Sequence, residues 1–273
     1  MSIFENLRLH RIQHLLVVFC LLSVLPPLSA QTAKELMIDA CYNERKQHKN
    51  DALWASRVER HTAGHIYLEE EIETVGGPIH RLISVDGHEP SPSERKQDDD
   101  RLRKLIQNQK AQQAMKKNRE ADQKNVDEIL RVVPDALLFE DQGRQEGLEK
   151  LAFRPNPEYN PTTYEERALH ALSGVILIDF QEKRLAQFSA TLTEQVDFGY
   201  GVLGQLKKGG TIEAKQIRLS PGIWKTNSSK ISVYGRIVLF KTISKQQDET
   251  QSGFKPVAPD TSIERALEEL MGK

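Results

Sequence analysis

"SATLTEQVDFGYGVLGQLKKGG", residues 189–210, decides the fold class. Gly199-Tyr200-Gly201-Val202-Leu203-Gly204 within it has the G-x-G-x-x-G spacing of a dinucleotide-binding turn. That fingerprint needs a buried strand before the glycines, a helix opening on them, and an acidic residue about 20 positions on. Ser189 to Val196 instead alternates polar and apolar residues, as a half-solvated strand does, whereas a parallel strand covered on both faces reads continuously apolar. Only Gln205 to Lys208 separate Gly204 from Gly209-Gly210, which leaves no room for a helix whose N-terminus would hold a pyrophosphate. The stretch therefore predicts an irregular hairpin with an apolar tip of Tyr200, Val202 and Leu203, and an antiparallel sheet. Asp197-Phe198-Gly199 lacks every other part of a kinase signature.

Outward from the hairpin the same period of two recurs. Strands are expected over 175–180, 184–196, 210–219, 222–227 and 229–243, joined by short turns at Gln181-Glu182-Lys183 and Ser220-Pro221-Gly222. Ile231, Val233, Ile237, Leu239 and Ile243 fall on one face of the last of these, with Tyr234, Val238 and Phe240 on the other. Further upstream, 54–59, 66–72 and 79–85 alternate between glycine-marked turns and predict a three-stranded meander. Two more strands are expected over 136–140 and 147–153, around a turn at Asp141-Gln142-Gly143.

Helices are placed by their caps. Residues 32–49 carry Leu36, Met37, Ala40 and Cys41 on one stripe. Ser91, Pro92 and Glu94 make an N-cap, a first-turn proline and a capping box, opening a charged helical insertion over about 91–133. Up to Asn125 it reads as a solvated, mobile arm, followed by a short packed helix that ends before Pro134. Thr162 with Glu165, and Thr261 with Glu264, give two further boxes.

Residues 1–30 have the layout of a secretory signal: Arg8 and Arg11, an apolar run from Leu15 to Leu25, and Pro26 to Ala30 ending on a small residue. The run is too short to span a bilayer, and cleavage is expected after Ala30. Removing it takes two of 38 basic and one of 39 acidic residues and leaves a net charge of −2, which gives no basis for nucleic-acid binding. Cys41 alone of the two cysteines remains, so the expected single domain, 31–273, is held by its core rather than by a disulfide.

No constellation points to catalysis, metal or cofactor. His61 and His65 would share a face on a helix but are predicted on a strand and turn, which separates them. Asp98-Asp99-Asp100 suits the positive end of a helix dipole. Cys41 has no histidine at a recognisable spacing.

The order of elements, an opening helix, a meander, helices inserted in mid-sheet and long final strands, resembles the half-barrel of periplasmic lipoprotein carriers of the LolA and LolB type and of the sensor RseB. Phe153-Arg154-Pro155-Asn156-Pro157 and Leu239-Phe240-Lys241-Thr242-Ile243-Ser244 also resemble stretches of uncharacterised exported bacterial proteins. The resemblance implies an α+β fold whose antiparallel sheet curves into an unclosed half-barrel with covering helices. It implies a non-enzymatic periplasmic protein, without a transmembrane span once processed, that binds a lipid or the acylated part of a lipoprotein. Tyr200, Ile231, Val233, Ile237 and Leu239 are then the candidate lining residues. The alternative is a structural or protein-interaction module of the envelope with no ligand cavity; a hydrolase assembled only in three dimensions is a third reading.

Overall fold

The computed structural model describes residues 31–49, 52–62, 64–198, 204–237 and 242–272, with the side chains of 48, 49, 236, 237 and 242–247 excepted. Helix α1 (Ala33–Lys49) precedes strands β1 (Trp54–Thr62), β2 (His65–Ile72) and β3 (Ile79–Val85), the expected meander. Helices α2 (Pro92–Gln107) and α3 (Gln109–Ala136) lead into β4 (Leu137–Gln145) and β5 (Leu148–Pro155), and α4 (Tyr164–His170) precedes β6 (Leu172–Asp179) and β7 (Arg184–Leu192). The short β8 (Val196–Phe198) and β9 (Gly204–Leu206), then β10 (Thr211–Ser220), β11 (Ile223–Ile237), β12 (Thr242–Pro256) and helix α5 (Ile263–Met271) complete the chain. The fold is α+β, with one antiparallel sheet in the order β3-β2-β1-β12-β11-β10-β7-β6-β5-β4 that does not close on itself. Val196 pairs with Leu206 and Phe198 with Gly204, so the glycine-rich stretch is flanked by a hairpin; its tip, Tyr200 included, lies outside the described residues.

Several elements differ from the sequence reading. The single strand expected over 229–243 is two: β11 reaches Ile237, and a further strand, β12, starts at Thr242 and runs between β1 and β11. Gln142 and Gly143 lie inside an irregular stretch of β4, and the turn comes at Glu146-Gly147, both with positive φ. Pro134 does not end the helix: α3 continues to Ala136, closed by the Leu137 amide donating to the Val133 carbonyl, although the proline leaves the carbonyl four residues before it without an amide partner. The caps of α4 and α5 fall one residue later than expected, on Thr163 and Ser262, whose side chains accept from Glu166 N and Arg265 N. The Ser91 box forms as read, with Ser91 N donating to Glu94 Oε2 at 2.8 Å.

The insertion is anchored at both ends, through Asp98 and Leu102 of α2 and the C-terminal end of α3, while from Arg103 to Val132 no side chain is fully buried and most are exposed. Leu102 is fully buried beneath α2, and Met115 of α3 joins Ile72, Ile79, Leu267 and Leu270 in a core that also holds α5. Asn108 divides the insertion by ending α2 and accepting from Ala111 N at 3.0 Å to start α3. At the sheet's edge, Asp98 accepts from Leu82 N at 3.2 Å and Arg101 donates to the His80 carbonyl, so α2 occupies backbone groups that β3 would otherwise present to another chain.

A larger core joins the α1 stripe, Leu36, Met37, Ala40 and Cys41, to the C-terminal end of α3 and to Leu151, Phe153, Ile176, Ile178 and Ala190 of the sheet. Here the strands approach closely at Gly174, where a Cβ would sit 1.9 Å from the Ser189 carbonyl oxygen and 2.8 Å from Ala190 Cα. Both obstacles are backbone, so Gly174→Ala is expected to cost roughly 1–3 kcal/mol by overpacking, read as a lower urea midpoint. An unchanged midpoint would refute the β6–β7 register.

Candidate functional site

Directly opposed residues of an antiparallel pair share a face. Ile231 opposes Ile212, so Ile231 and Val233 lie on the face covered by the larger core, and Val233 packs against that core. A Cβ on Gly210 would stand 3.1 Å from both Leu192 Cδ1 and Val233 Cγ1, which shows how closely this region is filled. Ile237 pairs with Gly204 through its backbone; its side chain, and Tyr200 and Leu239 entirely, lie outside the described residues.

An open cleft lies elsewhere among the described residues, between the start of β3 and the α2–α3 pair. This cleft has a volume of about 880 Å³, within the range of small-molecule sites. Ile79, Leu105, Ala111 and Met115 supply its apolar lining. The bend at Asn108 creates it, turning α3 back so that Met115 faces the sheet end on which α2 rests. Along its rim, Lys96, Asp100 and Lys104 repeat every four residues on one helix face. Lys96 Nζ bonds Asp100 Oδ2 at 3.0 Å, and Arg101 is held by Asp98 Oδ1 at 2.6 Å.

His80 also lines this cleft and belongs to a charged cluster on the sheet. Its Nδ1 stands 3.4 Å from Glu71 Oε2 and 3.6 Å from Glu69 Oε2. Arg60 of β1 joins Glu69 at 2.9 Å and also pairs with Glu249 of β12. Burial, then the charges of Glu73 and Glu249, push the Glu71 carboxyl up to about 7. Burial, then the positive charges of Arg60 and Arg101, push His80 down to about 4. Near neutral pH His80 is therefore uncharged.

The second cavity, about 450 Å³, runs beside α1 and is bordered by Asn43, Gln47, Glu182 and Arg184. Arg184 donates from Nε and Nη2 to the two Glu44 oxygens at 2.8 and 2.9 Å, both side chains being 5% exposed. Glu44 also accepts from Leu185 N at 3.0 Å and Gln216 Nε2 at 3.3 Å. Gln47 accepts from Arg184 and donates to the Trp224 carbonyl at 2.6 Å, while the Trp224 indole donates to Glu182 at 2.7 Å. The network ties α1 to β7, β10 and β11 and uses its charges internally.

The residues singled out for chemistry are placed separately. His61 bonds Glu59 at 2.8 Å and His65 bonds Asp86 at 2.7 Å, both exposed on the β1–β2 hairpin. Asp98, Asp99 and Asp100 pair with Arg101, Arg81 and Lys96. Among the described residues no group of three or more histidine, cysteine or acidic side chains is arranged to hold a metal, and no helix is long and apolar enough to cross a membrane. Burial pushes the Cys41 thiol up to about 12, so it stays protonated inside the core. Glu44 escaped the sequence reading although a signal existed: it continues the stripe of Met37, Ala40 and Cys41 at helical spacing. Comparison with family models, curated proteins and solved structures found no match.

Proposed function

We propose that the chain is an exported, non-enzymatic protein of the bacterial envelope that binds the acyl chain of a lipid or lipoprotein. In this reading the unclosed sheet is a half-barrel of the lipoprotein-carrier kind, and binding takes place in the cleft between β3 and α2–α3. The observation that carries the proposal is that cleft, with about 880 Å³ of space beside Ile79, Leu105 and Met115. Each methylene buried there contributes about 0.8 kcal/mol, so even a partly seated chain is held.

The test is to express the full chain with its own leader, purify it without detergent, and weigh one sample by native and denaturing mass spectrometry. Expected is an added mass that leaves on denaturation and extracts into organic solvent. A bare polypeptide mass under both conditions would refute lipid carriage. It would favour the second reading, an envelope interaction module, for which the support is the larger core: α1 and α3 already occupy the apolar surface of β5 to β7.

A further inference from the structure

The rim of the cleft carries information that its apolar lining does not. Three cationic side chains, Lys96, Arg101 and Lys104, border it, against one carboxylate, Asp100. His80, the remaining titratable group on the wall, adds no charge near neutral pH. Arg101 is engaged by Asp98 and by the His80 carbonyl, which fixes its position at the mouth. Lys96 and Lys104 stand two turns apart, on either side of Asp100, so an anion between them gains two cations for one carboxylate.

Volume limits the other end of the ligand. At roughly 30 Å³ for a group the size of a water molecule, 880 Å³ holds about thirty non-hydrogen atoms. One acyl chain with its head fills that space, so the second chain of a phospholipid would be left outside the cleft.

We infer that the cleft between β3 and the α2–α3 pair selects a single-chain amphiphile with an anionic head, its chain along Ile79, Leu105 and Met115 and its head between Lys96 and Lys104. The inference rests on the acyl-binding reading above and adds the number of chains and the sign of the head. It also places the ligand apart from β11, on residues that composition alone assigned to a solvated helix.

The experiment is calorimetric titration of the full processed chain, stripped of bound lipid, with dodecanoate, dodecyl phosphate, dodecyltrimethylammonium and inorganic phosphate, each amphiphile below its micelle concentration. Dodecanoate and dodecyl phosphate are expected to bind and the trimethylammonium compound to bind at least about tenfold more weakly. Inorganic phosphate alone is expected to give no heat. Lys96→Gln with Lys104→Gln, both exposed positions, is expected to weaken the anionic amphiphiles about tenfold or more while moving the thermal midpoint little. Added salt should weaken the same two ligands. Met115→Asp should weaken all chain-bearing probes alike.

Equal affinity for anionic and cationic amphiphiles would overturn the head-group assignment and leave the acyl-binding reading standing. Phosphate binding as tight as dodecyl phosphate would overturn the requirement for a chain. A two-chain lipid carried through purification, with no titratable single-chain binding, would overturn the ligand class alone. A bare polypeptide that also binds none of the amphiphiles would overturn both readings.

Discussion

Replacing Arg184 with methionine is expected to destabilise the protein by about 3–5 kcal/mol, because it strands the Glu44 carboxylate in a buried site. Both groups are 5% exposed. The carboxylate accepts from Arg184, Leu185 N and Gln216, while Arg184 also donates from Nη1 to Gln47. Every partner is thus inside the fold, and loss of one leaves a buried charge without its counter-ion. Glu44→Leu alone should cost a similar amount by stranding the guanidinium. The double variant, Glu44→Leu with Arg184→Met, removes both charges at comparable volume and should recover most of the loss, since such pairs replaced by apolar groups are often neutral. Urea unfolding of the four proteins completes the cycle. Single variants that lose less than about 1 kcal/mol, the scale of an exposed pair, would show that the site is wet.

The second large effect concerns protons. Glu71 titrates near 7 in the folded chain against its ordinary 4.5, so its contribution is greatest below 4.5 and is lost as pH rises through 7. His80 titrates near 4 against its ordinary 6.5, so its contribution is present above 6.5 and is lost as pH falls through 4. The two slopes are opposite over nearly the same window, and the unaltered chain should show little net pH dependence from this pair. Glu71→Gln should unmask His80, and stability should then rise with pH across that window by on the order of 2–3 kcal/mol. His80→Gln should unmask Glu71 and give a fall of similar size. Charges from five elements face the pair, Arg60 on β1, Glu69 on β2 with Glu73 just after it, Lys225 on β11, Glu249 on β12, and Asp98 and Arg101 on α2, so the slopes belong to the cluster as a whole. Urea melts of the three proteins across the window decide the matter; three parallel curves would exclude a buried Glu71–His80 pair.

What was legible in the sequence is what depends on near neighbours. The stripe of α1, the Ser91 box and the β1–β3 meander each rest on spacings of two to four residues, and each formed. Thr162-Thr163 and Thr261-Ser262 each offer two capping residues in a row, and only the path of the chain into the helix selects the second. Strand β12 was illegible because Ser244 to Ser252 contains no apolar residue. It is held by the ladder to its sequence neighbour β11 and by the long-range ladder to β1, with pairs such as Lys230–Asp248 and Arg60–Glu249 across them. The cleft was hidden for a similar reason: its lining combines β3 with two helices that the sequence joins into one charged run, and only the break at Asn108 opens it. Ile231 and Val233, grouped on one face by period two, lie on the face that the larger core covers, and periodicity carries no information about what occupies a face.

The pairing of β1 with β12 also sets a timetable. Trp54 lies opposite Pro256 and His61 opposite Asp248, so the N-terminal meander reaches the rest of the sheet only through the last strand to be made. A chain emerging N-terminus first holds β1 to β3 as an orphan hairpin pair until nearly its whole length is available, and its sheet closes ranks late and slowly. Until then β1 and β11 each lack the neighbour that joins the two halves of the sheet.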